Sequence, residues 1–134
     1  MRLFPLAAAL IFGLTALAAP STAQDRLSLD DAAKTQLIAA PKLREGGPDL
    51  AALGQRPVLV TFFASWCPPC AAEFAQLAQF ITDEGEPEVD IIAVNWIESL
   101  TGRSNARLAR MIGRIHPSIA VIEGTDALDD RFGG

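Results

Sequence analysis

Val58-Leu59-Val60-Thr61-Phe62-Phe63-Ala64-Ser65-Trp66-Cys67-Pro68-Pro69-Cys70 is the stretch on which the fold turns. Its first six residues are nearly all apolar, and most are β-branched or aromatic. Such a run predicts a strand buried on both faces, as in a parallel sheet. Beyond the turn, Cys70, Phe74, Leu77 and Ile81 recur at spacings of four, three and four, the apolar stripe of an amphipathic helix. The two cysteines therefore stand between the carboxyl end of a strand and the start of a helix.

That location has chemical consequences. Reaction sites in open α/β sheets lie off the carboxyl ends of strands. A helix N-terminus carries partial positive charge and unpaired N–H groups, which stabilise a thiolate and draw a thiol below its usual pKa near 8.5. Cys67 at the cap receives most of this effect and is the expected attacking thiol. Cys70, one turn in, is shielded and resolves the mixed disulfide. Pro68 and Pro69 suit the first helical turn, where a missing N–H costs nothing. Trp66 beside Cys67 reads as a shield and docking surface, or as ordinary packing. Glu73, one turn beyond Cys70, is placed to take the proton of the shielded thiol, or faces solvent as a plain helix carboxylate.

Two other uses of a cysteine pair are weaker. A bridge across four residues removes little chain entropy, so it is a poor staple. Zinc asks for four ligands, and His116 is the only histidine. A redox pair is the expected use, and His116, beside Pro117, reads as a loop residue.

Outward from the motif the chain alternates. Upstream, Asp25 to Ala40 is weakly helical, with Ser28 or Asp30 as N-cap and Pro41 as its stop. Lys42 to Pro48 is a polar connector, and Asp49 to Gly54 forms one helical turn. Downstream, Asp83 to Glu88 is a breaker, and Val89 to Asn95 is a second strand, with Trp96 in the core or on the rim after it. A helix over Asn105 to Ile115 follows, with Leu108, Met111, Ile112 and Ile115 inward. Its other face carries Arg103, Arg107, Arg110 and Arg114, read as a solvated face or a partner-docking face. Ile119 to Ile122 is a short third strand, and Asp126 to Phe132 a turn or short helix. Strand, helix, strand, helix, strand predicts an α/β domain with a parallel sheet and right-handed crossovers.

The 134 residues are 50% hydrophobic, but much of that content is at one end. Arg2, the uncharged run Leu3 to Ala19, and the small residues Pro20 to Ala23 read as a leader cut after Ala23, or as a retained anchor helix. No cysteine follows it, which excludes a lipoprotein. Cleavage leaves 111 residues, with ten basic and sixteen acidic side chains, a formal net of −6. A domain with this acidic balance is a poor partner for nucleic acid or anionic membranes. Membrane contact is expected only through a retained leader.

The stretch Val58 to Phe74, VLVTFFASWCPPCAAEF, resembles the active-site strand and helix of the thioredoxin superfamily. Within it the chain is similar to the TlpA/ResA/DsbE branch of exported thiol–disulfide oxidoreductases. The motif W-C-x-P-C is followed by an acid three residues on, here Glu73. The strand VDIIAVN is followed by Glu98-Ser99, as in that branch. The resemblance covers about Asp49 to Gly134. It implies a thioredoxin-like fold, a central sheet around a parallel βαβ core. It also implies a periplasmic, reductive role, keeping apocytochrome c cysteines or other exported protein thiols reduced. Electrons would come from a membrane donor of the DsbD/CcdA type. Cys67 would be the nucleophile, Cys70 the resolving thiol and Glu73 the acid that tunes them. No metal or cofactor is implied beyond the Cys67–Cys70 redox-active disulfide.

The departures are specific. Thr61 stands where thioredoxin proper has a buried Asp, leaving Glu73 as the only nearby acid. Ala75 replaces a helix-kinking proline. No opening hairpin is recognisable in Asp25 to Gly47. Residues 1–23 are thus read as signal peptide, 24–48 as an extension and connector, and 49–134 as a thioredoxin-like domain. Two alignments compete for its end. In the favoured one the cis-proline loop, final β-hairpin and last helix lie past Gly134, and the chain is a fragment. In the other, Pro117-Ser118-Ile119 is the cis-proline strand start and Glu123-Gly124 the hairpin turn. Competing functions are a dithiol oxidase or isomerase of DsbA or DsbC type, and a thiol-based metal carrier or assembly factor.

Overall fold

A computed structural model describes residues 29–96, 98 and 104–132. The leader, Ser28 and Arg103 lie outside them. The elements run α1 (Asp31–Ala39), a 3-10 turn (Leu50–Ala52), β1 (Val58–Phe63), α2 (Pro68–Glu84), β2 (Asp90–Asn95), α3 (Asn105–Ile112), β3 (Ala120–Glu123) and α4 (Asp126–Phe132). The alternation expected from the sequence is present, and both strand pairings are parallel. This is the α/β, thioredoxin-like arrangement.

The sheet order is β1-β2-β3. β2 lies in the middle and all six of its residues are buried. β1 differs from its expected burial on both faces. Only Phe63 is fully buried, and Leu59 remains 42% exposed. The reason is pairing: among the described residues β1 has a neighbour on one side only. Its alternate residues still divide as a strand requires. Phe63 packs under α2 and α3 with Phe74, Ile91 and Val121, while Val58, Val60 and Phe62 face Leu37, Ile92 and Leu128.

Helix ends follow their caps. α1 starts at Asp31 because the Asp30 carboxylate accepts the Ala33 N–H at 2.8 Å. α2 outruns the apolar stripe at both ends and stops at Gly85, whose φ of 89° suits a residue without Cβ. Phe74 on α2 meets Phe63 edge to face, ring centroids 5.3 Å apart. α3 stops at Ile112, three residues before its expected end, although Ile115 is still buried.

The early stop is explained by Arg44. This half-buried guanidinium donates to the carbonyls of Ile112 (3.1 Å), Ile115 (2.7 Å), His116 (2.9 Å) and Ile119 (2.7 Å). It satisfies carbonyls at the end of α3 and places positive charge where the helix dipole favours it. Desolvation by burial lowers the Arg44 pKa. Residues 41–47 are therefore more than a connector. The Leu43 N–H donates to Val121 O, and Glu123 N–H to Pro41 O, along the outer edge of β3. Gly47, at φ 78°, lies so close to β3 that a Cβ would sit 2.2 Å from the Ala120 nitrogen. With Leu37 in the core, the described part of the expected N-terminal extension belongs to the folded unit.

The alignment that makes Pro117-Ser118-Ile119 the cis-proline strand start and Glu123-Gly124 a hairpin turn does not hold. β3 runs parallel to β2, no described peptide bond is cis, and Glu123-Gly124 leads into α4 instead of a hairpin.

Candidate active site: the Cys67–Cys70 pair

β1 delivers the chain to the carboxyl edge of the sheet, and α2 begins after four intervening residues, Ala64 to Cys67. Cys67 is the N-cap of α2, with Pro68 and Pro69 opening the first turn. Its Sγ accepts the Cys70 N–H at 3.3 Å, and its own N–H donates to Ala64 O at 3.1 Å. The two sulfurs are joined in a disulfide, with Cα atoms 5.4 Å apart. Both cysteines are half-buried, and Pro68 and Pro69 are exposed. The bond is thus reachable by a partner's sulfur.

The loop is held from behind by an acid that the sequence reading left without a role. Glu98 is only 8% exposed. Its carboxylate accepts the Ser65 N–H, the Ser65 hydroxyl at 2.9 Å and the Asn95 side-chain amide at 2.9 Å. Asn95 also donates to Phe63 O at 3.3 Å. One buried carboxylate therefore ties the end of β2 to the residues just ahead of Cys67. The sequence reading took Glu73 as the only nearby acid, and Glu98 corrects that. The signal was the Glu98-Ser99 segment after the second strand, matched but given no function.

Glu73 lies exposed on α2, and its carboxylate accepts the Thr61 hydroxyl at 2.8 Å. Thr61, singled out as a departure, is the group that orients this acid. Trp66 is 38% exposed beside Cys67. Trp96 lies on the rim after β2, against Gly124. His116 sits in the α3–β3 connector, where its Nδ1 accepts the Ser118 N–H at 3.3 Å. The structure brings Trp66, Pro68 and Pro69 to the disulfide and leaves His116 in the connector.

The two sides of the disulfide differ. One is an apolar hollow of about 170 Å³ formed by Phe62, Phe63, Ala64, Trp66 and Trp96 with both cysteines. The other is a groove of about 180 Å³ where Arg107 and Arg110 of α3, and Arg114 just past its end, meet Ser65, Trp66, Cys67 and Pro68. A larger cavity of about 630 Å³ runs along the outer edge of β1 and away from the sulfurs. Chemistry and not volume therefore picks out the site.

The Redoxin family model matches residues 42–127. Among solved structures, the chain is similar to a secreted Mycobacterium tuberculosis disulfide oxidoreductase homologous to E. coli DsbE. The identity is 20%, the TM-score 0.52, and the match covers 74% of this chain and 70% of that one. No curated protein matches the sequence. The structural likeness speaks to the fold, whereas the family model spans most of the chain, including the cysteine pair and its setting between β1 and α2. The chain belongs to the redoxin family, and its paired cysteines make it a thiol–disulfide oxidoreductase.

Proposed function

We propose that the protein is exported and reduces disulfides in client proteins of the periplasm, with cytochrome c maturation as the setting. The observation that carries this reading is the disulfide at the N-terminus of α2, off the carboxyl end of β1. Export is supported by the leader-like residues 1–23 and by the secreted character of the structural neighbour. In the reducing cycle the Cys67 thiolate, stabilised by the helix N-terminus, attacks one sulfur of a client disulfide. A bond forms between Cys67 and that sulfur, and the other client sulfur leaves as a thiolate. Cys70 then gives up its proton to Glu73, directly or through water, and attacks the Cys67 sulfur. The Cys67–Cys70 bond forms and the second client thiolate leaves. Two electrons have moved to the client. A dithiol of a DsbD/CcdA-type membrane donor returns two electrons and two protons. The cysteine pair is the whole redox centre in this scheme.

The test is trapping. Cys70→Ser should accumulate mixed disulfides through Cys67 with client proteins. Trapping by Cys67→Ser alone would reverse the assigned roles. A reduction potential near about −120 mV, the range of strong dithiol oxidants, would overturn the reductive direction.

A further inference from the structure

The groove on the cationic side of the disulfide has a feature that the redox cycle does not use. Arg107 and Arg110 lie three apart on α3, and Arg114 follows in the turn just past its end. Together they wall the groove that contains Cys67. Among the described residues none of their guanidinium groups has an ion-pair or hydrogen-bond partner. The other described arginines are all engaged: Arg44 with carbonyls, Arg56 with Asp90, Arg131 with Asp30. α3 itself, Asn105–Ile112, contains no acid. Like charges three residues apart on a helix, such as Arg107 and Arg110, repel one another, and Arg114 adds a third charge just past the helix end. An unbalanced arginine row is therefore a stability cost, in a chain whose net charge is −5.

We propose that this arginine face docks an acidic segment of the client polypeptide flanking its reacting cysteine. The proposal deepens the reductive reading above and rests on it. Guanidinium groups without internal partners are free to pair with carboxylates in two-pronged fashion. The groove, at about 180 Å³, is smaller than the roughly 300–1,000 Å³ of enclosed small-molecule sites. It suits side chains of an extended peptide passing over the surface. Arg107 and Arg110 lie about one helical turn apart, roughly 5 Å along the axis, and Arg114 past the helix end lengthens the row to the reach of about three extended residues. The client's Asp or Glu residues should therefore lie within a few positions of its cysteine. Once a mixed disulfide with Cys67 forms, the client chain is held beside this row.

The test uses three synthetic peptides, each with one cysteine capped as a disulfide with neutral mercaptoethanol. Their flanks are acidic, neutral or basic, and otherwise identical. The reduced full chain is mixed with each, and oxidation of the Cys67–Cys70 pair is followed by tryptophan fluorescence. We expect the acidic peptide to react about tenfold faster than the neutral one at about 20 mM ionic strength. The ratio should fall to about twofold at about 0.5 M salt. In the double variant Arg110→Gln/Arg114→Gln the low-salt ratio should fall to about twofold, with circular dichroism reporting the fold. The control Lys34→Gln/Lys42→Gln makes the same change in net charge on α1 and beside β3, and should keep the full ratio. A wild-type ratio near one overturns the docking proposal, as does an equal loss of selectivity in the lysine control. Binding to phosphatidylserine vesicles that depends on Arg110 and Arg114, with no peptide selectivity, overturns it in favour of a lipid surface. Failure to reduce even the neutral peptide overturns the reductive reading, and the docking proposal falls with it.

Discussion

Replacing Arg44 with methionine removes the charge that reaches four carbonyls at the end of α3 and in the α3–β3 connector. The donor distances lie between 2.7 and 3.1 Å. Hydrogen bonds to a charged group contribute about 1.5–3 kcal/mol each when taken singly. Four would not add, because they share one guanidinium. Two effects reduce the loss further. Water can reach carbonyls in this half-buried place, and the burial that lowers the Arg44 pKa is itself a cost that the variant escapes. A net loss of about 3 kcal/mol remains, in the upper range for a single substitution. For a domain of roughly 100 residues that corresponds to a Tm about 12–20 °C lower. Arg44→Lys keeps a donor but loses the planar fork, and should lose about half as much. Urea unfolding of the oxidised protein, followed by circular dichroism and tryptophan fluorescence together, measures both variants. A loss under about 1 kcal/mol for Arg44→Met, or a lysine variant as stable as the parent, would refute the assignment of Arg44 as the staple of this connector.

Two further substitutions address the acids around the disulfide. Glu98→Ala strands the Ser65 N–H and hydroxyl and the Asn95 amide. It should cost about 2–4 kcal/mol in urea unfolding, with Glu98→Gln recovering all but about 1 kcal/mol; near-parental stability of the alanine variant would remove Glu98 as a clamp. Glu73→Gln keeps an oxygen for the Thr61 hydroxyl but cannot take a proton. Resolution of a pre-formed mixed disulfide should slow by on the order of a hundredfold, with the pH dependence of that step altered and stability unchanged. An unaltered pH profile would take Glu73 out of the cycle.

What was legible in the sequence was local. The β1–α2 run announced itself through an unbroken apolar strand, a cap position and a helical stripe, each set by residues within a few positions of one another. The Asp30 cap and the breaker at Gly85 belong to the same kind of information. The readings that changed all depended on partners distant in sequence. β1 looked buried on both faces because its composition is that of a central strand, but burial depends on what pairs alongside it. Arg44 looked like connector polarity because its partners lie some seventy residues away. Glu98 lies more than thirty residues from Ser65, and only the fold brings its carboxylate to the turn ahead of Cys67. The arginine row was visible as a stripe. That it faces Cys67 follows from how α3 crosses beside α2, which no local pattern encodes.

The disulfide's two unlike walls divide the work of recognition. Charge acts over about 8 Å in physiological salt, so under the docking proposal the arginine row acts on the rate of encounter. The apolar hollow of Phe62, Phe63, Trp66 and Trp96 acts only on contact and affects how long a client stays. For an enzyme that passes through a covalent intermediate this division has a use. The Cys67–client bond already fixes the client, so tight non-covalent binding would only delay departure after Cys70 has attacked. A modest apolar contact and a salt-sensitive cationic face bring the right client quickly and release it readily. In the proposed cycle this arrangement favours turnover over affinity, and the buried Glu98 carboxylate holds Ser65 in the loop that carries Cys67.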